Sequence, residues 1–259
     1  MKQVVVIPAR YASSRLPGKP LVDLCGVPMI VRTCRQCAEV VGLADIIVAT
    51  DDERIGDVCA SEGFRVLMTS ESCLTGTDRV AEVARNTDAD VYINVQGDEP
   101  LFEPRDLTAL LEFSRSHPDD VVNGYCEIDE EVLFRNSSIP KVVTRSDGRL
   151  LYMSRAAIPT SKAHTFASAW RQVCAYAFPR RALEEFSQQV RKTRLEEIED
   201  IEILRFLELG WEVRMLEMSA NSIAVDNPED VARVEAEIIR RQNDHRKRFG
   251  GKQGGTSDA

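Results

Sequence analysis

The chain has only three histidines. His117, His164 and His245 fall in loop-like or tail segments, so no histidine base stands out. No apolar run approaches the roughly 20 residues that cross a bilayer. The N-terminal run in MKQVVVIPARY is too short for a signal-peptide core, and a charged loop follows it at once. A basic excess is missing too: the formal charge is −9 at pH 7, whereas a nucleic-acid binder usually carries a basic face. Paired cysteines are also missing. Seven cysteines, an odd number, are scattered along a chain long enough to build a core without staples. Cys34 and Cys37 form a C-x-x-C in a helix-like stretch, but no second Cys or His pair completes a zinc site, so they read as two small core or surface thiols. What remains is a cytoplasmic protein that binds neither nucleic acid nor membrane.

Its composition is that of a soluble globular domain, 43% apolar and 29% charged in 259 residues. The first half alternates strand and helix patterns. Val4–Ile7, Asp45–Asp52, Phe64–Thr69 and the run from Asp90 read as strands; Met29–Val41, Arg54–Glu62 and Asp78–Arg85 read as helices. Near-continuous Val/Ile strands in such alternation predict a parallel sheet covered on both faces. Further on, Pro140–Pro159 holds two short apolar runs around Ser146-Asp147-Gly148, a hairpin signal. The stretch from Arg171 reads as a strand leading into a helix, Leu195–Leu209 as one long charged helix, and the run from Trp211 as a strand. The segment from Ser222 reads as a strand, a turn and a helix, with Asn227 as cap and Pro228 at the first helical position. One domain over residues 1–242 is expected, with a distinct subregion at about 121–215. A polar, Gly-rich tail over 243–259 is expected to be disordered.

The stretch VVVIPARYASSRLPGKPL places Arg10, Arg15 and Lys19 directly after the first strand. A strand-to-helix loop at the carboxyl end of a parallel strand is the usual ligand position in such sheets. The loop is neither a G-x-G-x-x-G turn nor a P-loop, because Gly18-Lys19 is followed by Pro20. Small residues with spare N–H groups and three cations would suit a triphosphate, which carries about four negative charges. A solvated basic loop is the competing reading, and the loop's position after strand one counts against it. Asp98 and Glu99 stand just past one buried strand and Asp226 just past another, a plausible hard-metal site beside a polyphosphate. Asp226 could instead cap a helix and Asp98 serve a turn.

The motif IPARYASSRLPGKPL resembles the signature of the sugar-acid cytidylyltransferases, above all the CMP-KDO synthetases (3-deoxy-manno-octulosonate cytidylyltransferases). Further matches follow in the family's order: IIVATDDERI, TGTDRVAEVA, VYINVQGDEPLFEP, LLYMSRAAIP and IAVDNPEDVARVEAEI. The resemblance implies an α/β fold: a Rossmann-like, GT-A-like nucleotidyltransferase sheet, mostly parallel, with an inserted hairpin-containing region for acceptor binding and dimerisation. It implies CTP, a small anionic acceptor and Mg²⁺ as the reacting set, and a homodimer. An acceptor oxygen would attack the α-phosphorus and pyrophosphate would leave, with no nucleophilic side chain required. By resemblance, Ala9, Arg10, Ser14, Arg15, Lys19, Thr77, Asp78, Arg79, Gln96 and Asp98 face the nucleotide, with Arg10, Arg15 and Lys19 carrying the catalytic charge. Gln96, Arg155, Gln172, Tyr176 and Glu196 face the acceptor. Asp98 and Asp226 hold the metal.

The acceptor half departs from the family pattern. Gln172, Cys174 and Phe178 stand where His, Gly and Tyr are usual, and Ile203 replaces a Gln. The segment VVNGYCEI differs as well. Lost hydroxyl and amide groups predict a less polar pocket, poorly suited to KDO and open to a small phosphonate such as phosphonoformate. A glycosyltransferase would be expected to carry an Asp-x-Asp motif, which QGDEP lacks. A non-catalytic nucleotide-binding protein would be expected to have lost a cation or a metal carboxylate, and all are kept.

Overall fold

The computed structural model describes residues 1–13, 15–225 and 227–249, with side chains through residue 244. The strands are β1 (Gln3–Ala9), β2 (Asp23–Leu24), β3 (Val27–Pro28), β4 (Ile46–Thr50), β5 (Arg65–Met68), β6 (Val91–Val95), β7 (Val121–Ile128), β8 (Lys141–Thr144), β9 (Leu150–Ser154), β10 (Ala169–Pro179) and β11 (Val213–Glu217). The α-helices are α1 (Met29–Ala38), α2 (Glu53–Ser61), α3 (Gly76–Asn86), α4 (Pro104–Ser116), α5 (Glu131–Arg135), α6 (Arg180–Ser187), α7 (Arg194–Glu199), α8 (Ile203–Glu208) and α9 (Pro228–Phe249).

The main sheet runs β11-β7-β10-β6-β1-β4-β5, and β8 joins β10 and β9 beside it. Strands β6, β1, β4 and β5 are mutually parallel, and β11 is parallel to β7. The long strand β10 runs antiparallel to β6, β7 and β8. Every residue of β4 and β6 is buried, because α1, α2 and α4 cover one face while α3, α6 and α8 cover the other. The chain leaves β1 for β4 and β5 on one side, then returns to β6 on the other. That reversal opens a crevice at the carboxyl end of β1, where open α/β sheets place their ligands. The hairpin forms as expected, β8 against β9 across Asp147-Gly148.

Three expectations need correction. The stretch Leu195–Leu209 is not one helix: α7 and α8 are separated at Asp200, which takes a left-handed conformation, φ 51°. Arg155 donates from Nε to Glu199 O (2.5 Å) and from Nη2 to Asp200 O (2.8 Å), so a guanidinium satisfies carbonyls that α7 leaves open at its end. Residues 222–225 form no strand; Val225 donates its N–H to Asp98 O (3.1 Å), and this segment packs against the opening loop. Helix α9 continues through Phe249, so 243–249 is helical where a disordered tail was expected. Val234 and Ile238 of α9 pack against Leu24 and Met29, so the helix braces the chain just beyond the opening loop. The rest of the tail, from Gly250 on, lies outside the described residues.

All seven cysteines are free. Cys34 and Cys37 lie in the core on α1, and burial pushes the Cys37 thiol up to about 12. Among the described residues, no helix is long and apolar enough to cross a membrane.

Candidate active site

The opening loop leaves β1 at Ala9 and turns back at Gly18, whose N–H reaches Tyr11 O at 3.1 Å. Gly18 has φ +68°, and a Cβ there would meet the Tyr11 ring at 3.2 Å. Arg54 of α2 stacks over that ring, 3.5 Å from its centroid. Lys19 follows on a 3-10 turn, Lys19–Leu21. On the other side of the crevice, β6 ends at Val95 and Gln96-Gly97-Asp98 continues from it. A Cβ on Gly97 would lie 2.9 Å from Pro8 O, so only glycine lets the two strand ends approach this closely.

A cavity of about 290 Å³ opens between them. Ala9, Arg10, Arg15, Lys19, Arg79, Gln96 and Asp98, all expected at the nucleotide, line it. Its wall carries five basic side chains (Arg10, Arg15, Lys19, Arg79, Lys192) against three acidic ones (Asp98, Asp200, Glu202). In a chain of net charge −9 this is a local excess of cations. Lys19 Nζ donates to Asp98 Oδ2 at 2.5 Å. Arg79 is buried, ion-paired to Asp51 and bonded to Thr69 Oγ1 at 2.7 Å.

A second cavity of about 280 Å³ adjoins the first, and both are lined by Arg15, Gln96, Asp98, Asp200 and Glu202. Arg155, Gln172 and Tyr176, expected at the acceptor, line this second space, together with Glu99 and Cys174. Gln172 Nε2 donates to Tyr176 Oη (3.1 Å) and to Asn123 Oδ1 (2.9 Å). Asn123 Nδ2 in turn donates to Val173 O and Ala175 O, both at 3.0 Å. Those carbonyls flank the bulge where the β10–β7 register shifts. A bulge re-aims a side chain, and here it lies at Cys174, which lines the cavity. Burial raises the Cys174 thiol and the Tyr176 phenol well above their ordinary values.

Several expected residues lie elsewhere. Thr77 and Asp78 do not line the nucleotide cavity. Thr77 donates its N–H to Glu202 Oε2 at 2.8 Å. Asp78 completes a capping box with Thr75 at the start of α3 and accepts from Arg205 Nη1 at 3.1 Å. The same motif does bring Thr75, Gly76 and Arg79 to the cavity. Glu196 lines neither cavity; its carboxylate is wholly buried against Arg205. Phe178 and Ile203, expected to line the acceptor pocket, are 0% exposed: Phe178 of β10 packs in the core against α6 and α8, and Ile203 is a buried residue of α8 itself. Phe178 stacks on Phe206 with ring centroids 5.1 Å apart. The guanidinium of Arg155 lines the second cavity while donating to main-chain carbonyls of Ser137, Ser138, Glu199 and Asp200. Ser14 and Asp226 lie outside the described residues.

Sequence reasoning missed Glu202, Lys192 and Asp200. Glu202 is half-buried between the two spaces, and desolvation there, then the charges of Asp78 and Glu196, raise its carboxyl above the usual range. Its signal was faint, an acidic residue inside an expected helix. Lys192 and Asp200 come from loops whose positions only packing defines.

A cation-rich cavity at a switch-point crevice, opening onto a second cavity, suits transfer of a nucleotidyl group between two bound molecules. The class that this fold and site define is the nucleotidyltransferases. The family model described as Cytidylyltransferase matches residues 4–218. The 3-deoxy-manno-octulosonate cytidylyltransferase of Escherichia coli is 39% identical over 235 residues, covering 91% of this chain and 95% of the relative. The 8-amino-3,8-dideoxy-manno-octulosonate cytidylyltransferase of Shewanella halifaxensis is 36% identical over 243 residues, covering 92% and 99%. The structure of CMP:2-keto-3-deoxy-manno-octonic acid synthetase complexed with CTP superposes with a TM-score of 0.86 at 38% identity, covering 93% of this chain and 100% of that one. A putative glucose-1-phosphate thymidylyltransferase from Bacillus anthracis shares the fold at 16% identity, TM-score 0.64, covering 91% and 94%. The chain belongs to the cytidylyltransferase family, and within it to the CMP-KDO synthetases.

Proposed function

We propose that the enzyme transfers CMP from CTP to a KDO-like sugar acid and releases pyrophosphate. The observation that carries this reading is the pair of adjoining cavities that share Arg15, Gln96 and Asp98. A nucleotide in the first cavity would present its α-phosphorus at the shared wall, where an acceptor oxygen from the second could reach it. Arg10, Arg15 and Lys19 would then meet the charge that builds on the departing pyrophosphate. Polar side chains predominate in the lining of the second cavity. Of the four departures expected there, Gln172 and Cys174 do line it, while Phe178 and Ile203, the positions of the lost hydroxyl and amide, are core residues. The phosphonate alternative rested on them, so the sugar acid is favoured.

Among the described residues no cluster of three His, Cys, Asp or Glu side chains could hold a metal alone. Mg²⁺ fits this donor set, because it takes one or two carboxylates and completes its shell with phosphate oxygens and water. Asp98, whose carboxylate lines both cavities, would supply one ligand, and Asp226 is the other proposed. Bound there, Mg²⁺ would neutralise phosphate charge and orient the reactants. A homodimer is proposed as well, supported by the exposed Leu151 on β9, a strand that pairs with β8 on one side only among the described residues. Seven free thiols support a cytoplasmic setting.

Pyrophosphate release, measured with CTP, UTP, ATP and GTP beside KDO and Mg²⁺, tests the reading. Release with CTP and KDO is expected. Preference for a purine triphosphate, or turnover of phosphonoformate but not of KDO, would overturn it.

A further inference from the structure

Lys192 lies in the loop between α6 and α7 and lines the cation-rich cavity. Its Nζ donates to Asp200 Oδ1 at 2.5 Å. Asp200 lines both cavities, and its main chain is fixed by the Arg155 bond to its carbonyl at 2.8 Å. Three cations face its carboxylate: Lys192 in contact, Arg155 Nη2 at 3.7 Å, and Arg10 across the cavity. A carboxylate among cations at the wall of an anion cavity occupies the kind of surroundings that a phosphate would take. The Lys192 side chain is 27% exposed and that of Asp200 70% exposed, and an ion pair this open to water is weak. A polyphosphate carries more charge than one carboxylate and holds an ammonium more strongly. Lysine suits such an exchange, since its compact charge sits on a flexible stem.

We propose that Lys192 is a phosphate-binding residue of the nucleotide cavity, held on Asp200 in the nucleotide-free protein and exchanged onto the polyphosphate when the nucleotide binds. This rests on the reading that a nucleoside triphosphate occupies that cavity. Asp200 is then a competing counter-ion, and the turn between α7 and α8 feels the arrival of the nucleotide through loss of the pair.

Titration calorimetry at fixed salt tests this, with inorganic tripolyphosphate and CTP as ligands. The proteins are the unmodified enzyme, Lys192→Gln, Lys192→Arg and Asp200→Asn. Lys192→Gln should bind both ligands about tenfold more weakly, as a lost charge-assisted bond does. Lys192→Arg should keep most of the affinity, and Asp200→Asn should gain about threefold because the competing carboxylate is gone. The acceptor KM of the Lys192 variants should not move, since Lys192 lines only the first cavity. Unchanged affinities in a Lys192→Gln variant whose melting curve shows it folded would overturn the proposal. So would a loss confined to the acceptor KM, or weaker tripolyphosphate binding by Asp200→Asn; that last arm decides the matter if Lys192→Gln does not fold. A protein that binds tripolyphosphate but shows no preference for CTP among the four triphosphates would sink the nucleotide reading, while the tripolyphosphate affinities of the Lys192 variants still decide whether that lysine binds phosphate.

Discussion

Arg205 and Glu196 form a two-pronged ion pair in the interior: Nε to Oε2 and Nη2 to Oε1, each 2.6 Å, with neither side chain exposed. The third nitrogen, Nη1, reaches Asp78 Oδ1 at 3.1 Å. One buried guanidinium thus ties α8 to α7 and to the start of α3, the elements behind both cavities.

Breaking this tie should show as lost stability. Removing one partner of a buried pair leaves an uncompensated charge and costs about 3–5 kcal/mol. Glu196→Ala should therefore lower the denaturant midpoint sharply, while the folded fraction keeps its acceptor KM. The double variant Glu196→Leu with Arg205→Met should recover part of the loss. A stable Glu196→Ala with a raised acceptor KM would restore Glu196 to the acceptor site.

Arg15 and Lys19 carry the second prediction. If they hold the β- and γ-phosphates, Arg15→Ala and Lys19→Ala should each lower kcat/KM for CTP on the order of a hundredfold, with kcat itself reduced. Steady-state kinetics against CTP concentration reads this directly. Unchanged kinetics would mean a merely solvated loop.

Asp98→Asn and Asp226→Asn should each abolish Mg²⁺-dependent turnover while the fold survives, because a carboxamide keeps the shape and loses the charge a hard cation needs. Activity measured across a Mg²⁺ titration checks it. Near-normal turnover at low Mg²⁺ in either variant would assign the ligand elsewhere.

In the acceptor cavity, Gln172→Ala should raise the acceptor KM about tenfold and leave the CTP KM in place, since it strips a hydrogen bond from Tyr176 and Asn123. Phe178→Tyr should act differently. Its ring is fully buried, and an unpartnered hydroxyl there costs about 1–3 kcal/mol. Thermal melts should fall without any gain on KDO.

Glu202 supplies a pH signature. Its folded-state carboxyl is raised above the usual glutamate range by burial, so the native state holds this proton more tightly than the unfolded chain does. Stability from this group is present below the ordinary glutamate value and is lost as pH rises from there through the raised folded value. Denaturant midpoints of the unmodified protein should fall across that window relative to Glu202→Gln, which has no proton to lose. Parallel pH profiles for the two proteins would contradict the assignment.

Much of this was written locally in the chain. Alternating apolar strands and amphipathic helices specify a covered parallel sheet, because each face must be buried. The Asp147-Gly148 turn announces the hairpin, and the cations after β1 announce the anion site, because a strand end at a switch point is where a ligand sits. Asp98 and Gln96 follow from the same rule applied to β6. Other features depend on contacts across long stretches of sequence. Glu196 reads as a polar helix residue until Arg205 is folded against it. Phe178 reads as a pocket residue until the direction of β10 turns its ring into the core. The break of Leu195–Leu209 into two helices is accommodated by Arg155, some 45 residues before it, whose guanidinium takes the carbonyls exposed there. Local sequence determined the elements and the chemistry of the opening loop. Only the tertiary structure decided which charges face the cavities and which hold the helices together, because a side chain's role follows from the partner that burial brings to it.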